Sequence, residues 1–353
     1  MKVKLSLYFA IITAIFGIFQ FSKIDVASAY TVSSGECVME VSTGRVLSEY
    51  SSDKKLPMAS TTKILTALTV IENFDLDKEI TVPKKATGVE GSSIYLREGE
   101  KLTVKELLYG LMLRSGNDCA ECLAISLVDR SKFIALMNET ARKAGAINSN
   151  FVNPHGLHDK NHYTTAHDLA KITCRALKNS VFKEICSTKR IKISNDGYDY
   201  DRVLINKNKL LFNYDGATGV KTGFTKKAGR CLVSSANRNG MEVVSVVINS
   251  PQMWERSTEL LDNAFNSYSL VKIVDALDFD RVFAGKRGKK VKICIANDVY
   301  FPLTSKESSS VTYKFNGATL DDFIENATKT ADFEVFAENK LIFSKKIFTI
   351  IDN

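Results

Sequence analysis

The stretch "LPMASTTKILTALTVIE", Leu56 to Glu72, decides how the rest of the chain is interpreted. Its apolar residues recur at helical spacing, so we expect a helix that begins at Ser60 and that a hydrophobic core grips. Lys63 follows Ser60 by three residues and therefore lies on the same helical face. Two interpretations are open: Ser60 is an N-cap and Lys63 an ordinary helix former, or the hydroxyl and the amine are a nucleophile and its base.

The composition is that of a folded globular protein. The chain has 353 residues, which suits two domains, and 44% of them are hydrophobic and 25% charged. The net charge of +8 is spread along the chain, with its densest cluster in "KRGKKVK", Lys286 to Lys292. That cluster can attract an anionic polymer, such as a cell wall or membrane surface, or it can be a solvated hairpin turn. No motif resembles a nucleic-acid-binding element, so no nucleic-acid partner is expected.

Residues 1–29 are expected to be a signal peptide. "MKVK" supplies a positive start, Leu5 to Ser22 carries no charge, and Ala27-Ser28-Ala29 has the small-x-small pattern that a signal peptidase reads. The uncharged run is long enough that an uncleaved membrane anchor is the alternative. We expect a secreted, extracytoplasmic protein on the cell-wall side of the membrane, with membrane contact weak or absent after cleavage. The C-terminal "ENKLIFSKKIFTIIDN" is expected to be a final strand and not an amphipathic anchor helix.

The seven cysteines do not form a convincing disulfide framework, because their number is odd and their spacing irregular. "CAEC", Cys119 to Cys122, can be a redox or metal pair. Because it lies in an apolar helical stretch, we expect two small buried residues instead.

The pattern of apolar residues predicts an α+β fold. "ECVMEVSTGRVLSEYS" is typical of a hairpin, and "LTVKELLYGLMLRSGNDCAECLAISLV" of a helical run interrupted at residues 115–117. Further helices are expected over 132–144, 165–177 and 255–265, and antiparallel strands from Gly216 onward. Strand-like sequence fills the rest of the chain. We therefore predict a domain of helices and antiparallel sheet over residues 30–270 and a small all-β domain over 271–353.

Three short motifs carry the chemistry. Five Ser-x-x-Lys matches occur, but only the one at Ser60 opens a strongly apolar helix, where a nucleophile would be held rigidly. Burial there would favour a neutral Lys63 amine that can accept a proton, and a second nearby cation would act in the same direction.

Lys-Thr-Gly occurs once, at residues 221–223, in a predicted strand. Its glycine leaves room for a substrate backbone. Ser-x-Asn occurs at residues 115–117, between two helical runs, and again at 235–237 in a strand.

The order SxxK, SxN, KTG resembles the low-molecular-weight penicillin-binding proteins that are D-alanyl-D-alanine carboxypeptidases, with Gly116 where the SDN form has Asp. The blocks "GSSIYLREGEKLTVKELLYGLMLRSGNDCAECLA", "NPHGLHDKNHYTTAHDLA" and "GVKTGFTKKAGRCLV" are similar to that family too. The resemblance implies a β-lactamase/transpeptidase-like fold. It also implies an exported enzyme that removes the terminal D-alanine from peptidoglycan pentapeptide stems through an acyl-enzyme, without a cofactor, and that β-lactams inhibit.

The resemblance also assigns roles to residues. Ser60 is the implied nucleophile and Lys63 its base, although the acylation base is disputed in this superfamily. Ser115 is implied to relay a proton to the leaving amine, and Asn117 to hold the substrate amide. Lys221 would supply positive potential and Thr222 a hydroxyl for the terminal carboxylate, beside Gly223. The implied oxyanion hole is the backbone N–H of Ser60 and of Phe224.

Two positions depart from the family pattern. Lys209, in "NKNKLLF", stands where the family often has a basic residue, and it would contact a carboxylate as a point charge. The downstream arginine of the family has no clear counterpart, and Arg256 is a candidate.

The four histidines, His155, His158, His162 and His167, cluster within "HGLHDKNHYTTAH". HExxH is missing, so we expect no metal and instead a structured loop tied by His155 to Asp168.

Two other functions stay open. A β-lactamase of the same fold would need a glutamate that activates a deacylating water, and no residue in the sequence maps to one. A catalytically inert wall-binding protein would not need the intact motifs.

Overall fold

A five-stranded antiparallel sheet lies at the centre of the fold. The computed structural model describes residues 33–276, 281–284, 290–293, 297–315 and 330–352. In those ranges the strands are β1 Gly35–Glu40, β2 Val46–Tyr50, β3 Glu79–Thr81, β4 Lys101–Thr103, β5 Arg190–Ile193, β6 Arg202–Ile205, β7 Ala217–Thr225, β8 Gly229–Arg238, β9 Met241–Ile248, β10 Ser269–Val274, β11 Arg281–Ala284, β12 Lys290–Ile293, β13 Val299–Leu303, β14 Thr312–Phe315, β15 Thr330–Ala337 and β16 Lys340–Asp352. The central sheet has the order β2–β1–β9–β8–β7, and every neighbouring pair is antiparallel.

Helices of the first 270 residues cover both faces of this sheet, and a short helix follows in the C-terminal part of the chain. They are α1 Lys63–Asn73, α2 Val104–Leu113, α3 Asn117–Leu127, α4 Arg130–Lys143, α5 Ala166–Leu177, α6 Ser180–Ser187, α7 Leu210–Asn213, α8 Met253–Ser267 and α9 Ser305–Ser308. In β9, Val244 and Val246 belong to the core that contains α5, whereas Val243 and Val247 belong to the core that contains α8. Successive side chains of a strand point to opposite faces, so β9 is buried on both sides, which explains its continuous apolar sequence.

The elements predicted for this part of the chain are present, although α1 begins at Lys63, after a 3₁₀ turn over Ala59–Thr62, and not at Ser60. The β1–β2 hairpin forms as expected, and α4, α5 and α8 lie within a few residues of their predicted ranges. The predicted helical interruption separates α2, which ends at Leu113, from α3, which begins at Asn117. At the start of α2, Thr103 and Glu106 form a reciprocal capping box that fixes where the helix begins.

In the described ranges after residue 270, strands dominate and α9 is a helix of four residues. β10 pairs with β13, and a second antiparallel sheet has the order β11–β12–β16–β15–β14. The small hydrophobic core of this C-terminal part includes Ile273 of β10, Leu303 of β13, and Phe333 and Val335 of β15. The α+β class and the final strand, β16, are confirmed, while the domain boundary near residue 270 stays a prediction.

Several predicted features lie outside the described residues. These are residues 1–32, with the predicted signal peptide, residues 285–289 of the predicted basic turn, and Cys294. The strands that flank the basic turn, β11 and β12, pair antiparallel, as a hairpin requires. Across the ranges that the structure describes, no helix combines the length and the apolar character needed to span a bilayer.

The six cysteines in the described ranges are free thiols and all are buried. Burial raises the pKa of each thiol, to about 12 for Cys37, Cys122 and Cys231. The interpretation of Cys119 and Cys122 as small buried residues is confirmed, since both are 0% exposed. Such protonated, enclosed thiols are poor nucleophiles and poor metal ligands.

Arg45, at the end of the β1–β2 turn, joins the central sheet to the C-terminal strands. Its guanidinium donates to the Pro302 carbonyl and to Glu307, and lies 5.1 Å from the Tyr268 ring centroid and 5.5 Å from that of Phe301. The group is largely buried, with 19% of its side chain exposed. Its removal would leave the Glu307 carboxylate without this partner.

We expect Arg45→Ala to lower the free energy of unfolding by about 1–3 kcal/mol, because charge-assisted and cation–π contacts are lost together. The measurement is denaturant unfolding. Arg142→Ala, at an exposed position of α4, is the control and should change stability by less than about 0.5 kcal/mol. An equal loss in both variants would contradict the proposed importance of Arg45.

Candidate active site

Ser60 lies in a 3₁₀ turn, Ala59–Thr62, that leads directly into α1. The turn is braced by its own side chains, because the Thr61 hydroxyl donates to the Met58 carbonyl and the Thr62 hydroxyl to the Ala59 carbonyl. The Ser60 side chain caps no helical N–H. Its Oγ lies instead 2.9 Å from Lys63 Nζ. The N-cap interpretation is therefore wrong, and the geometry of a nucleophile beside its base is present.

Lys63 is completely buried, and acceptors surround its amine. Nζ lies 2.6 Å from Asn117 Oδ1 and 2.7 Å from the His155 carbonyl oxygen, in addition to Ser60 Oγ. Burial, and then the positive charge of Lys221, hold the pKa of this amine well below its usual range. A neutral amine can donate its two hydrogens to Asn117 and His155 and direct its lone pair at Ser60. A protonated amine would find three acceptors for its three hydrogens.

Lys221 is the second buried cation of the site, with only 2% of its surface exposed. It lies in β7, and its Nζ donates to the Thr222 carbonyl at 2.9 Å. Burial, and then the charge of Lys207, lower the pKa of Lys221 to about 7. Because two adjacent buried ammonium groups repel, the structure favours a neutral Lys63 beside a charged Lys221.

The segment Ser115-Gly116-Asn117 is held where α2 gives way to α3. Ser115 has a left-handed backbone conformation, with φ +65, which turns the chain sharply between the two helices. The Asn117 side chain bridges two segments, since its Oδ1 accepts from Lys63 and its Nδ2 donates to the Glu90 carbonyl. One Nδ2 hydrogen is thus used within the protein.

The carboxylate of Asp118 fixes the neighbouring loop. It accepts hydrogen bonds from the Ser93 hydroxyl and from the backbone N–H groups of Ile94 and Leu96. These bonds set the position of the segment at 92–96 relative to α3.

The second Ser-x-Asn match does not contribute to the site. Ser235 is buried inside the central sheet, and its hydroxyl lies 2.7 Å from that of Thr218.

A cavity of about 280 Å³ opens at Ser60. Five predicted site residues line it: Ser60, Ser115, Thr222, Gly223 and Phe224. The sequence did not point to the other four lining residues, which are Ser92, Lys207, Met253 and Trp254. Phe224 is 64% exposed and stands at the rim. The structure therefore brings together Ser60, Lys63, Ser115, Asn117, Lys221, Thr222, Gly223 and Phe224 as one constellation.

The structure does not bring Lys209 to this cavity. Lys209 is exposed at the start of α7, and Lys207, two residues earlier, lines the cavity and donates to Ser92 Oγ at 3.1 Å. The reason is a pair of tight turns: Asn206 Oδ1 accepts from the Asn208 N–H, and Asn208 Oδ1 from the Leu210 N–H. Partial burial, and then the charge of Arg114, lower the pKa of Lys207.

Gly223 is required by the protein itself. A Cβ at this position would lie 3.0 Å from the Ser60 backbone nitrogen and 3.1 Å from the Met58 carbonyl oxygen. The glycine therefore lets β7 pass directly against the turn that carries Ser60, which is a different reason from the substrate contact expected from the sequence.

Arg256 is committed elsewhere. Its guanidinium binds Glu36 through two hydrogen bonds of 2.8 Å and Glu259 through one of 2.7 Å. It is not among the residues that line the cavity, so the candidate role in carboxylate binding is wrong for Arg256.

The histidine loop braces the nucleophile turn, but not as expected. His155 binds Glu121, with Nε2 and Oε1 3.1 Å apart, whereas Asp168 accepts from the Asn148 N–H and the Ser149 hydroxyl. The predicted tie from His155 to Asp168 is therefore wrong. No group of three potential metal ligands occurs in the part of the chain that the structure describes.

His162 is the member of the cluster that contacts the turn directly. Its Nδ1 accepts from the Val152 N–H, so its Nε2 carries the hydrogen and donates to Thr62 Oγ1 at 2.9 Å. Burial, and then the charge of His155, lower the pKa of His162 to about 3. The ring therefore stays neutral at ordinary pH. Sequence reasoning missed this role, because histidine burial is not encoded in residue spacing.

Gly156 presses the same loop against the turn. It has a left-handed conformation, with φ +90, and a Cβ there would lie 2.0 Å from the Ala59 carbonyl oxygen.

We expect Gly156→Ala to displace the Ser60 turn and to reduce penicillin acylation at least tenfold. Gly99→Ala is the matched control, because Gly99 has φ +82 but open space around its Cβ position. Its stability cost of about 1–2 kcal/mol should come without loss of acylation. Equal activity in the two variants would contradict this role.

Comparison with known proteins agrees with the geometry. A family model described as D-alanyl-D-alanine carboxypeptidase (peptidase family S11) matches residues 24–252. The chain is 32% identical over 297 residues to D-alanyl-D-alanine carboxypeptidase DacF of Bacillus subtilis, covering 81% of this chain and 73% of that protein. It is similar to the crystal structure of the D-alanyl-D-alanine carboxypeptidase DacD from Francisella tularensis, with a TM-score of 0.69, 25% identity and coverage of 90% and 92% of the two chains. Penicillin binding protein 5 from Haemophilus influenzae shares the fold, with a TM-score of 0.75, 24% identity and coverage of 91% and 98%. The chain therefore belongs to the D-alanyl-D-alanine carboxypeptidase family and is a serine-type hydrolase of the low-molecular-weight penicillin-binding kind.

Proposed function

We propose that the enzyme removes the terminal D-alanine from peptidoglycan pentapeptide stems through an acyl-enzyme on Ser60. The single observation that carries this proposal is the buried Lys63 amine 2.9 Å from the Oγ of Ser60, a residue that lines the cavity. A hydroxyl with its own base at hydrogen-bond distance is the requirement for nucleophilic catalysis.

In acylation, the neutral Lys63 amine takes the Ser60 proton while Oγ attacks the carbonyl carbon between the two D-alanines. The resulting ammonium meets acceptors that are already in place, Asn117 Oδ1 and the His155 carbonyl, so little reorganisation accompanies proton transfer. The oxyanion would be held by the backbone N–H groups of Ser60 and Phe224. The close approach of Gly223 to the Ser60 nitrogen supports that pairing.

The tetrahedral intermediate collapses when the D-alanine nitrogen leaves with a proton. Ser115 is proposed to pass that proton from Lys63, because Ser115 and Ser60 line the same cavity. Asn117 has one Nδ2 hydrogen left after its bond to Glu90, and that hydrogen is proposed to hold the substrate amide.

The terminal carboxylate is proposed to bind at Lys207 and the Thr222 hydroxyl, both of which line the cavity. Lys207 takes the role that the sequence suggested for Lys209. Lys221 acts from behind the cavity wall as a buried positive charge, with its amine bound to the Thr222 carbonyl. A lysine supplies charge without the two-pronged geometry of an arginine, so we expect looser carboxylate recognition here.

Water then hydrolyses the acyl-enzyme, and β-lactams are proposed to acylate the same serine and leave slowly. The β-lactamase alternative needs a carboxylate that activates the deacylating water. In the described ranges, the cavity lining includes no acidic residue. A rapid return of free enzyme after penicillin treatment would favour that alternative, and failure to form any covalent adduct would favour the inert wall-binding protein.

We also propose that the protein is exported, cleaved after Ala29 and retained on the cell-wall side of the membrane, where its peptidoglycan substrate lies. The charged start, the uncharged run and the small-x-small pattern of residues 1–29 support this proposal. The division into a catalytic domain, 30–270, and a C-terminal β-domain, 271–353, belongs to the same proposal.

Ser60→Ala should abolish both labelling by penicillin and D-alanine release, because the acyl bond has no oxygen to form on. The fold should be unchanged, as judged by circular dichroism and thermal unfolding. Intact-mass spectrometry after incubation with penicillin measures the adduct directly. Ser180→Ala is the matched control, since Ser180 also has a lysine three residues on. Persistence of the adduct in Ser60→Ala would refute the assignment.

The two buried lysines should act on opposite limbs of the pH profile of penicillin acylation. Protonation of Lys63 removes the base, so the acylation rate falls as pH falls through the lowered pKa of Lys63. Loss of the Lys221 proton removes the positive charge, so the acylation rate also falls as pH rises above about 7.

Lys63→Arg should therefore reduce acylation by about 10²–10⁴-fold, because a guanidinium cannot accept the proton. Lys221→Arg should keep more activity and lose the alkaline limb, because arginine stays charged. Stopped-flow acylation from pH 5 to 10 measures both. An alkaline limb that survives in Lys221→Arg would show that Lys221 does not act through its charge.

A further inference from the structure

One face of α3 supports two of the three acceptors around the Lys63 amine, Asn117 Oδ1 and the His155 carbonyl. Asn117 and Glu121 lie four residues apart and are therefore neighbours on the helix. Asn117 accepts from Lys63 directly, at 2.6 Å. Glu121 binds the ring of His155 at 3.1 Å, and the carbonyl of the same His155 lies 2.7 Å from Lys63 Nζ.

The His155 ring is held by a hydrogen bond at each of its nitrogens. Its Nδ1 accepts the Leu157 N–H at 3.1 Å, so Nδ1 carries no hydrogen and Nε2 is the donor to Glu121. The residue is therefore fixed at both ring nitrogens and at its carbonyl. Gly156, the next residue, packs directly against the Ala59 carbonyl. The peptide group that joins His155 to Gly156 therefore has little freedom to move.

Glu121 is itself anchored. Arg130, the first residue of α4, donates to it through Nε and Nη2, each at 2.9 Å. Burial raises the pKa of Glu121, but the hydrogen bonds from Arg130 and His155 outweigh burial and bring the pKa to about 2. The carboxylate is thus ionised whenever the enzyme works. Only 12% of the Glu121 side chain and 9% of the His155 side chain are exposed.

We propose that Glu121 is a positioning residue: through the His155 ring it holds the His155 carbonyl against Lys63 and so sets the proton affinity of the catalytic amine. The proposal deepens, and rests on, the role of Lys63 as the base. A purely structural ion pair between Arg130 and Glu121 would explain why Glu121 is held in place. It would not explain why Glu121 also binds His155, the residue whose carbonyl accepts from Lys63.

The direction of the effect follows from which form of the amine the carbonyl favours. A carbonyl accepts hydrogen bonds more strongly from an ammonium than from an amine, so its loss lowers the pKa of Lys63 further. A weaker base then gives a slower maximal acylation with its acid limb at lower pH. The other titratable groups around Lys63 act whether or not His155 is in place: Lys221 of β7, Asp118 and Cys119 of α3, Lys207 ahead of α7, and His162 across Thr62.

The experiment compares penicillin acylation from pH 5 to 10 in wild type, Glu121→Gln and Glu121→Leu. Glu121→Leu should lower the maximal rate by about tenfold and move the acid limb to lower pH. Glu121→Gln keeps an acceptor for His155 Nε2 and should retain most of the rate. Glu72→Leu is the control, because Glu72 also pairs with an arginine, Arg175, at 2.8 Å but touches no group of the site.

A double-mutant cycle tests whether Glu121 acts through His155. His155→Ala should reproduce the shift of Glu121→Leu, and the double variant should lose no more than the larger single loss. Additive losses would overturn the proposal, as would an acid limb that does not move in Glu121→Leu. If Glu121→Leu does not fold, the same limb measured in His155→Ala and Glu121→Gln decides the matter.

Failure of this inference is distinguishable from failure of the proposed function. If wild type forms its adduct on Ser60 and shows an acid limb, while the Glu121 variants match wild type, only the positioning role is wrong. If the adduct persists in Ser60→Ala, the base and the nucleophile are both misassigned and the positioning role falls with them.

Discussion

The burial of one amine, that of Lys63, is the constraint on which the site depends. An ammonium without water must find an acceptor for each hydrogen, or else lose its proton. The structure provides for both forms of the amine. The nucleophile turn, α3 and the 153–157 loop each supply one acceptor for its hydrogens, and the neighbouring cation Lys221 disfavours a second positive charge. Segments far apart in the chain converge here because each contributes one of these partners.

The close approach of backbones around Ser60 follows from the same constraint. Gly223 lets β7 touch the turn from one side, and Gly156 lets the histidine loop touch it from another. Ala59, before the nucleophile, and Ser115, across the cavity, both have left-handed conformations, with φ +50 and φ +65. Strain of this kind persists only where the surroundings determine the backbone, and it concentrates at functional sites. The enclosed turn is therefore a preorganised one, with its hydroxyl fixed before substrate arrives.

Much of this arrangement could be predicted from the sequence, and the exceptions have physical reasons. Periodicity located the hairpin and the long helices, and the three motifs in order located the constellation through the family resemblance that they carry. The sequence pointed to Lys209, whereas Lys207 lines the cavity, because side-chain turns at Asn206 and Asn208 decide which lysine faces it. The partners of His155 and Arg256 were missed because ion pairs between distant segments leave no local pattern.

The central claim is that burial and the neighbouring Lys221 lower the pKa of Lys63 so far that its amine loses its proton before Lys221 does. The most direct test is an NMR titration of the protein with ¹³C-labelled lysine side chains, with Lys63→Arg and Lys221→Arg used to assign the two buried resonances. The account predicts that the Lys63 resonance titrates far below the ordinary lysine value of 10.5 and below Lys221, whose pKa is about 7. A Lys63 resonance that titrates near 10.5, or above that of Lys221, would contradict it.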